Sequence, residues 1–405
     1  MSALLWVAAV AITTVLIRER YRAAMSGGIG GDFSIYLQAA RQVAAGHSPY
    51  QVNQLFVYPP TLALFLAPFS HLAPTHLWQA WTILELIALV AGVAAFVATQ
   101  VPMVPSLLRP LLFAFCAVTV LHFWPLTIGL YLGQADAFVF ATLMFSVLAA
   151  CRERPAARGI LIGLAGLLKA WPVAVGLSLF QRGTERRLRA VVATVFTILF
   201  APLLAIAFGG ASGLMALVKS IVAARTQHLV SDSVWGAPRL LFSHSGLARP
   251  LVVSLPLQAV TTVLLLGWVI GLLVITLRTA GDKIMCTWNV TFCIVLILPV
   301  SHLAYTLYCL PVLWLWASRI LESRRLTWQQ FLVPAALFLW WVVQTKAWPD
   351  SGSSSSISAV HYCVVFVANL VACTASVVGA RFAHLLGPHE TDDSAPSQVT
   401  LARSS

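Results

Sequence analysis

Asp32 is the residue of this 405-residue chain best placed to do chemistry. Only 13 acidic residues occur. This one lies in Gly31-Asp32-Phe33-Ser34-Ile35-Tyr36, directly after the first apolar segment. A carboxylate at the point where a chain leaves a bilayer can take a proton as general base, or it can cap a helix. Apolar Phe33, Leu37, Ala40 and Ala44 recur at spacings of three and four. The pattern predicts an amphipathic helix with Asp32 at its N-cap and Gly46 closing it. Spacing alone weighs the cap and the base equally.

Other polar residues could complete a site. Gly46-His47-Ser48-Pro49-Tyr50 and Phe56-Val57-Tyr58-Pro59-Pro60 offer aromatic walls suited to sugar rings, or an interfacial aromatic belt with helix-start prolines. Gln134 and Asp136, in Gly133-Gln134-Ala135-Asp136, could hydrogen-bond hydroxyls, or Asp136 could cap the helix that follows. Lys169 is a cation at membrane depth, for which a phosphate partner or snorkelling would account. Glu85 lies well inside an apolar segment, where pairing in the bundle interior or proton movement is expected. His302 begins a span. The long polar loop at 209–250 adds Arg225, His228, Asp232, Trp235 and Arg239.

The elements that must position these residues are membrane helices. The chain is 60% hydrophobic and 9% charged, with long apolar runs near the ~20 residues that cross a bilayer as helix. No stretch alternates like a barrel strand. Apolar segments fall at about 1–17, 76–98, 108–127, 134–151, 157–181, 188–208, 251–278, 284–300, 302–320, 329–346 and 358–380. The run 157–181 is broken by Lys169-Ala170-Trp171-Pro172 and reads as two short helices that cross and return. Counting it twice predicts twelve crossings with both ends on one side. The stretch 58–70 is too short to span and reads as a re-entrant or interfacial helix.

The net charge of +12 sits in short loops, so it marks topology and anionic lipid rather than nucleic acid. Loops carrying Arg152, Arg154, Arg158, Arg182, Arg278, Lys283, Arg319 and Arg324 are expected in the cytoplasm, which puts the loops 18–75 and 209–250 outside. Arg18, Arg20 and Arg22 run against this count. Met1–Ile17 reads as a retained span rather than a cleaved leader. Residues 1–386 are expected to form one membrane domain, and 387–405 a disordered cytoplasmic tail. The seven cysteines lack metal-ligand spacing.

Taken in order, Asp32…Tyr36, Gly46-x-x-Pro49-Tyr50, Tyr58-Pro59-Pro60, Gly133-Gln134, and Gly159-x-x-x-Gly163-Leu164-Ala165 with Lys169 and Pro172 resemble glycosyltransferase family 87. That family comprises polyprenyl-phosphate-mannose-dependent α-1,2-mannosyltransferases. The resemblance covers about 30–180 and loosens beyond. It implies an all-α GT-C membrane fold of about 10–12 spans, in a bacterial plasma membrane, with the site on the periplasmic or outer side. The family usually has Asn where this chain has Asp136.

On this resemblance Asp32 would be the base. Lys169, His302 and Arg41 would meet the donor phosphate, and Tyr36, Tyr50, Tyr58, Gln134, Asp136 and Trp235 the sugar and acceptor. The partners implied are a polyprenyl-phosphate-sugar donor, a glycolipid or glycan acceptor and the lipid bilayer. A polyprenyl phosphate leaves readily, so an inverting transfer needs one base and cations for the departing phosphate, without the second carboxylate of a glycosidase. No cofactor is expected, and a divalent ion at the phosphate stays open. A secondary transporter or a lipid-linked sugar flippase is the competing reading.

Overall fold

The computed structural model describes residues 2–50, 56–182, 187–224, 232–244, 250–279, 282–299, 301–322, 328–346 and 359–386. The expected tail 387–405, and Arg225, His228 and Arg324, lie outside them. All described secondary structure is helical: the chain is an all-α polytopic membrane protein.

The helices run in chain order as α1 Ser2–Ser26, α2 Gly31–Ala44, α3 Pro60–Leu66, α4 Pro74–Thr99, α5 Arg109–Leu121, α6 Trp124–Leu132, α7 Asp136–Cys151 and α8 Pro155–Leu168. They continue as α9 Arg187–Ile198, α10 Phe200–Ala224, α11 Gly236–Phe242, α12 Leu255–Arg278, α13 Lys283–Ile297, α14 Leu310–Glu322, α15 Trp328–Lys346 and α16 Ala359–Leu386. Tight 3₁₀ turns occupy Ala67–Phe69, Trp171–Phe180 and Leu303–Cys309. Prolines set many starts, among them Pro60, Pro74, Pro125 and Pro155 in first turns, where the missing N–H and fixed φ suit the helix.

Six described helical stretches are long and apolar enough to cross a membrane alone, and a bent pair makes a seventh. That pair is α5 and α6, which meet at 60° across His122-Phe123. The sequence marks a single apolar segment at about 108–127 here, without the bend. The run from 188 was expected to end near 208. The chain instead turns at Gly210 (φ 57) and stays helical to Ala224. The break at Lys169 is present as expected: α8 ends there, and the 3₁₀ turn Trp171–Phe180 leads the chain back.

One end of the bundle gathers the basic loops. Arg319 Nη2 meets Asp282 Oδ2 at 3.0 Å, Gln181 Nε2 donates to the Thr279 carbonyl at 3.2 Å, and the Arg182 N–H donates to Leu277 O. Arg158 departs from its expected place in an exposed basic loop. It is buried, and its Nη2 donates to Ser178 Oγ at 2.9 Å and Thr287 Oγ1 at 3.0 Å, tying α8 to the 3₁₀ turn and to α13.

Several helices at the centre are short. From the basic end, α7, α8 and α13 rise over 16, 14 and 15 residues, about 21–24 Å at helical pitch against the ~30 Å hydrocarbon of a bilayer. Their opposite ends therefore form a sunken floor, inside taller neighbours such as α4 with 26 residues. Fully buried Trp288, Trp314 and Trp340 fill the middle of the bundle.

The Gly159-x-x-x-Gly163 pair has a steric role. A Cβ on Gly159 would stand 2.1 Å from Ala190 O, and one on Gly163 2.5 Å from Thr197 Cβ. Thr194 Oγ1 donates to Gly159 O at 3.0 Å across the same seam. Small residues let α8 and α9 close to backbone contact, as membrane helices do where no hydrophobic force draws them together. Gly159→Val is expected to lower the thermal midpoint of the detergent-purified protein and broaden its size-exclusion peak. Overpacking of this kind costs about 1–3 kcal/mol. Gly267→Ala in α12, with open space around its Cβ position, serves as the neutral control.

Candidate active site

Asp32 is brought to the sunken floor by a second, aromatic core. Phe33 packs against Trp78 (5.4 Å) and Trp81 (5.5 Å) of α4, and Trp81 meets Phe138 of α7 at 4.9 Å. These contacts fix the first turn of α2 over the start of α7. The helix ends as the sequence predicts, at Gly46 (φ 78), where the Gly46 N–H reaches Val43 O and the His47 N–H reaches Gln42 O in a Schellman arrangement.

The start of α2 differs from expectation. Gly30 is the N-cap, and no side chain caps the helix. Asp32 lies inside the first turn, so its carboxylate is not held by capping and is turned to other partners. Gln134 and Tyr58 interact with it by side-chain hydrogen bonds, and Lys169 and Asp136 act on it through charge. Burial raises the Asp32 pKa, while Lys169 and the hydrogen bonds from Gln134 and Tyr58 pull against that rise. Burial and the facing Asp32 charge push the Tyr58 phenol upward, so it stays protonated and able to donate.

Beneath Asp32 lies a buried ion pair. Lys169 Nζ meets Asp136 Oδ1 at 2.6 Å, with both side chains 3% exposed. Tyr308 donates its hydroxyl to the same oxygen at 2.5 Å, and the Tyr305 ring lies 4.5 Å from Nζ. The broken helix puts Lys169 at this level, because the chain must leave α8 where the floor is. Thr61 of α3 donates its hydroxyl to the Leu167 carbonyl, which clamps the outer segment to that helix end. The pairing alters two expectations. Lys169 is enclosed against Asp136 and not open to a free phosphate, and Asp136 is the counter-ion of Lys169, neither a helix cap nor an open acceptor contact.

The remaining candidates divide. Tyr58 and Gln134 join the cluster. Tyr36 is fully buried, edge-on to Tyr58 at 4.8 Å, and Tyr50 donates its hydroxyl to Tyr58 O at 2.9 Å, so both brace Tyr58 from behind. His302 is exposed at the rim, edge-on to Tyr305 at 5.5 Å. Trp235 stands outside the cluster, its Nε1 donating to Ile297 O at 2.7 Å. Arg41 is also apart: nine residues along α2, about 13 Å from Asp32, its Nε turns to Ser70 O at 3.5 Å.

Two further residues were not singled out as site candidates from sequence. Tyr305 and Tyr308 follow His302 at a spacing of three, which the 3₁₀ turn Leu303–Cys309 aligns on one face. Asp232, from the long loop, is buried against the chain just before that turn, its N–H donating to Ser301 O at 2.9 Å. Neither of its carboxylate oxygens has a hydrogen-bond partner among the described residues, and burial pushes it up to about 7. Glu85, 1% exposed, faces the floor from α4; the gap it shares with Gln134 and Asp136 has no room for a water molecule. No three His, Cys, Asp or Glu residues form a metal-holding group among the described residues.

A half-buried carboxylate with hydrogen-bonding partners, set above a lysine and ringed by tyrosines in a helical membrane bundle, is a site suited to group transfer onto a hydroxyl. Glycosyltransferase family 87 matches residues 56–299, and the chain belongs to that family. It is therefore a multi-pass membrane protein of a glycosyltransferase family. It is 30% identical over 162 residues to a polyprenol-phosphate-mannose-dependent alpha-(1-2)-phosphatidylinositol mannoside mannosyltransferase of Mycobacterium tuberculosis, a match covering 35% of this chain and 37% of that protein. The chain thus spans little more than a third of the length of the curated relative it matches. The family match includes Tyr58, Gln134, Asp136, Lys169 and Trp235, while Asp32 and His302 lie outside it.

Proposed function

We propose that this glycosyltransferase moves a sugar, mannose first among the candidates, from a polyprenyl-phosphate-linked donor to a hydroxyl of a glycolipid or glycan. The displacement is single and inverting, on the extracytoplasmic side of a bacterial plasma membrane. The relative's dependence on polyprenol-phosphate-mannose supports the donor class, and the basic loops at the opposite end support the orientation. The observation that carries the reading is Asp32 facing Gln134 and Tyr58 with Lys169 behind it.

In this reading Asp32 takes the acceptor hydroxyl's proton as that oxygen attacks the anomeric carbon, and the polyprenyl phosphate departs with the bonding pair. Gln134 and Tyr58 hold the carboxylate in aim. Lys169 acts as a positioning residue, committed to Asp136 and setting the potential around Asp32. His302, exposed beside Tyr305, is assigned to the departing phosphate. Negative charge develops on that phosphate in the transition state, which an imidazole N–H donor stabilises. No cofactor enters the scheme.

The test is transfer of labelled mannose from polyprenyl-phosphate-mannose by the purified full chain in nanodiscs, with the anomeric configuration of the product read by NMR. Transfer with inversion is expected; retention, or no transfer from any polyprenyl-linked sugar, would overturn the proposal. The pH profile adds a second check. Burial raises the Asp32 pKa, so its charged form, and with it kcat, is lost as pH falls through a value above the ordinary carboxylate of about 4. A kcat that stays level down to pH 4 would remove Asp32 from the role of base.

A further inference from the structure

Between α1 and α4 lies a cleft of about 730 Å³ that the transfer site does not use. Ile83, Ile87, Val90 and Ala94 run down one face of α4 at spacings of three and four, opposite Ile17 of α1, and Arg18 and Tyr21 close the end nearer Asp32. The volume falls within the ~300–1,000 Å³ of ligand sites. Convex apolar faces, such as Val263 and Leu264 of α12, need only bulk lipid to cover them. This concave wall differs by carrying a cation.

Depth decides what the cation is for. Residues 2–17 carry no charge and extend about 24 Å as helix, so Arg18 falls where hydrocarbon gives way to headgroups. Arg20, two residues on, turns away and donates its Nη1 to Thr127 Oγ1 at 2.9 Å. Arg18 is exposed to the cleft and has no ion pair among the described residues. A guanidinium above an apolar slot at that level is complementary to the phosphodiester of a lipid whose chain fills the slot.

We propose that the cleft seats an acyl chain of the lipid-anchored acceptor, with Arg18 on the anchor's phosphodiester. The proposal rests on the transfer reaction above. It excludes the donor from the cleft: the donor phosphate carries the bond that breaks and must lie beside Asp32, whereas Arg18 is about 12 Å down α1 from Ser26. A phosphate at that remove suits a glycolipid whose headgroup sugars bridge to the base. Tyr21 supplies the aromatic face found at the boundary between tails and headgroups.

The test compares wild type, Arg18→Gln and Ile87→Trp as full-length protein in nanodiscs. The substrates are phosphatidylinositol mannoside and the same acceptor with its acyl chains removed. Ile87 is 58% exposed to the cleft, so the bulkier ring fills the slot without entering the core. A charge-assisted contact supports a KM effect of about tenfold. The expected result is that rise in KM for the acylated acceptor in both variants. kcat, donor KM and KM for the deacylated acceptor stay at wild-type values. An unchanged KM, an equal rise on both acceptors, or a raised donor KM would overturn the proposal.

Native mass spectrometry of the same proteins needs no turnover. Phosphatidylinositol retained by wild type and lost from both variants supports the cleft site even if no sugar is transferred, which would then count against the reaction alone. Equal retention in all three overturns the site.

Discussion

Asp32→Asn should lower kcat by about a thousandfold, within the ~10²–10⁴ range of general acid–base catalysis, while the KM for donor and acceptor stays within a few-fold. The substitution keeps the shape and removes the charge, so Gln134 and Tyr58 still have a side chain to face. Folding should not suffer. A carboxyl whose folded pKa lies above its unfolded value binds protons more readily when folded. Its contribution to stability therefore declines as pH rises through that window, and the neutral amide removes the decline. The thermal midpoint of Asp32→Asn at pH 7 should match or exceed wild type. Initial rates and melting curves on one preparation separate the two effects, and a mutant within tenfold of wild-type kcat would end the case for Asp32 as base.

Lys169→Met should have the opposite balance, with a large loss of stability. It strands the Asp136 carboxylate in the interior with the Tyr308 hydroxyl for company. Removing one partner of a buried pair costs about 3–5 kcal/mol, whereas replacing both by apolar residues is often neutral. Lys169→Met/Asp136→Leu should therefore regain much of the lost thermal midpoint. It should regain activity only at raised pH, because Asp32 then lacks the cation that opposes its raised pKa. The acid limb of kcat in the double variant should move to higher pH. A double variant with both wild-type melting and a wild-type pH profile would show that Lys169 only fills space.

The sequence disclosed the class of fold and the position of Asp32, because both rest on local signals: apolar runs, first-turn prolines and a carboxylate next to a span. It misplaced the cap for a reason visible only in three dimensions. A Cβ on Gly30 would stand 2.5 Å from the Leu132 carbonyl, so the backbone there is pressed on the end of α6 and the helix begins before Asp32. Lys169 and Asp136 were both singled out, yet their pairing spans 33 positions of chain and leaves no periodicity. Tyr305 and Tyr308 escaped because their partners, Lys169 and Asp136, lie far off in the chain and leave no local signal. Arg158 was read as a loop charge, since nothing local shows that Ser178 and Thr287 converge on it.

The sunken floor carries a risk for the cell. Asp32, Lys169, Asp136 and Glu85 step inward from it, and a file of water along such groups would conduct protons and drain the gradient the membrane maintains. The bundle closes that route by packing. No water fits in the gap beside Glu85, and Trp288, Trp314 and Trp340 occupy the core as an electrical seal.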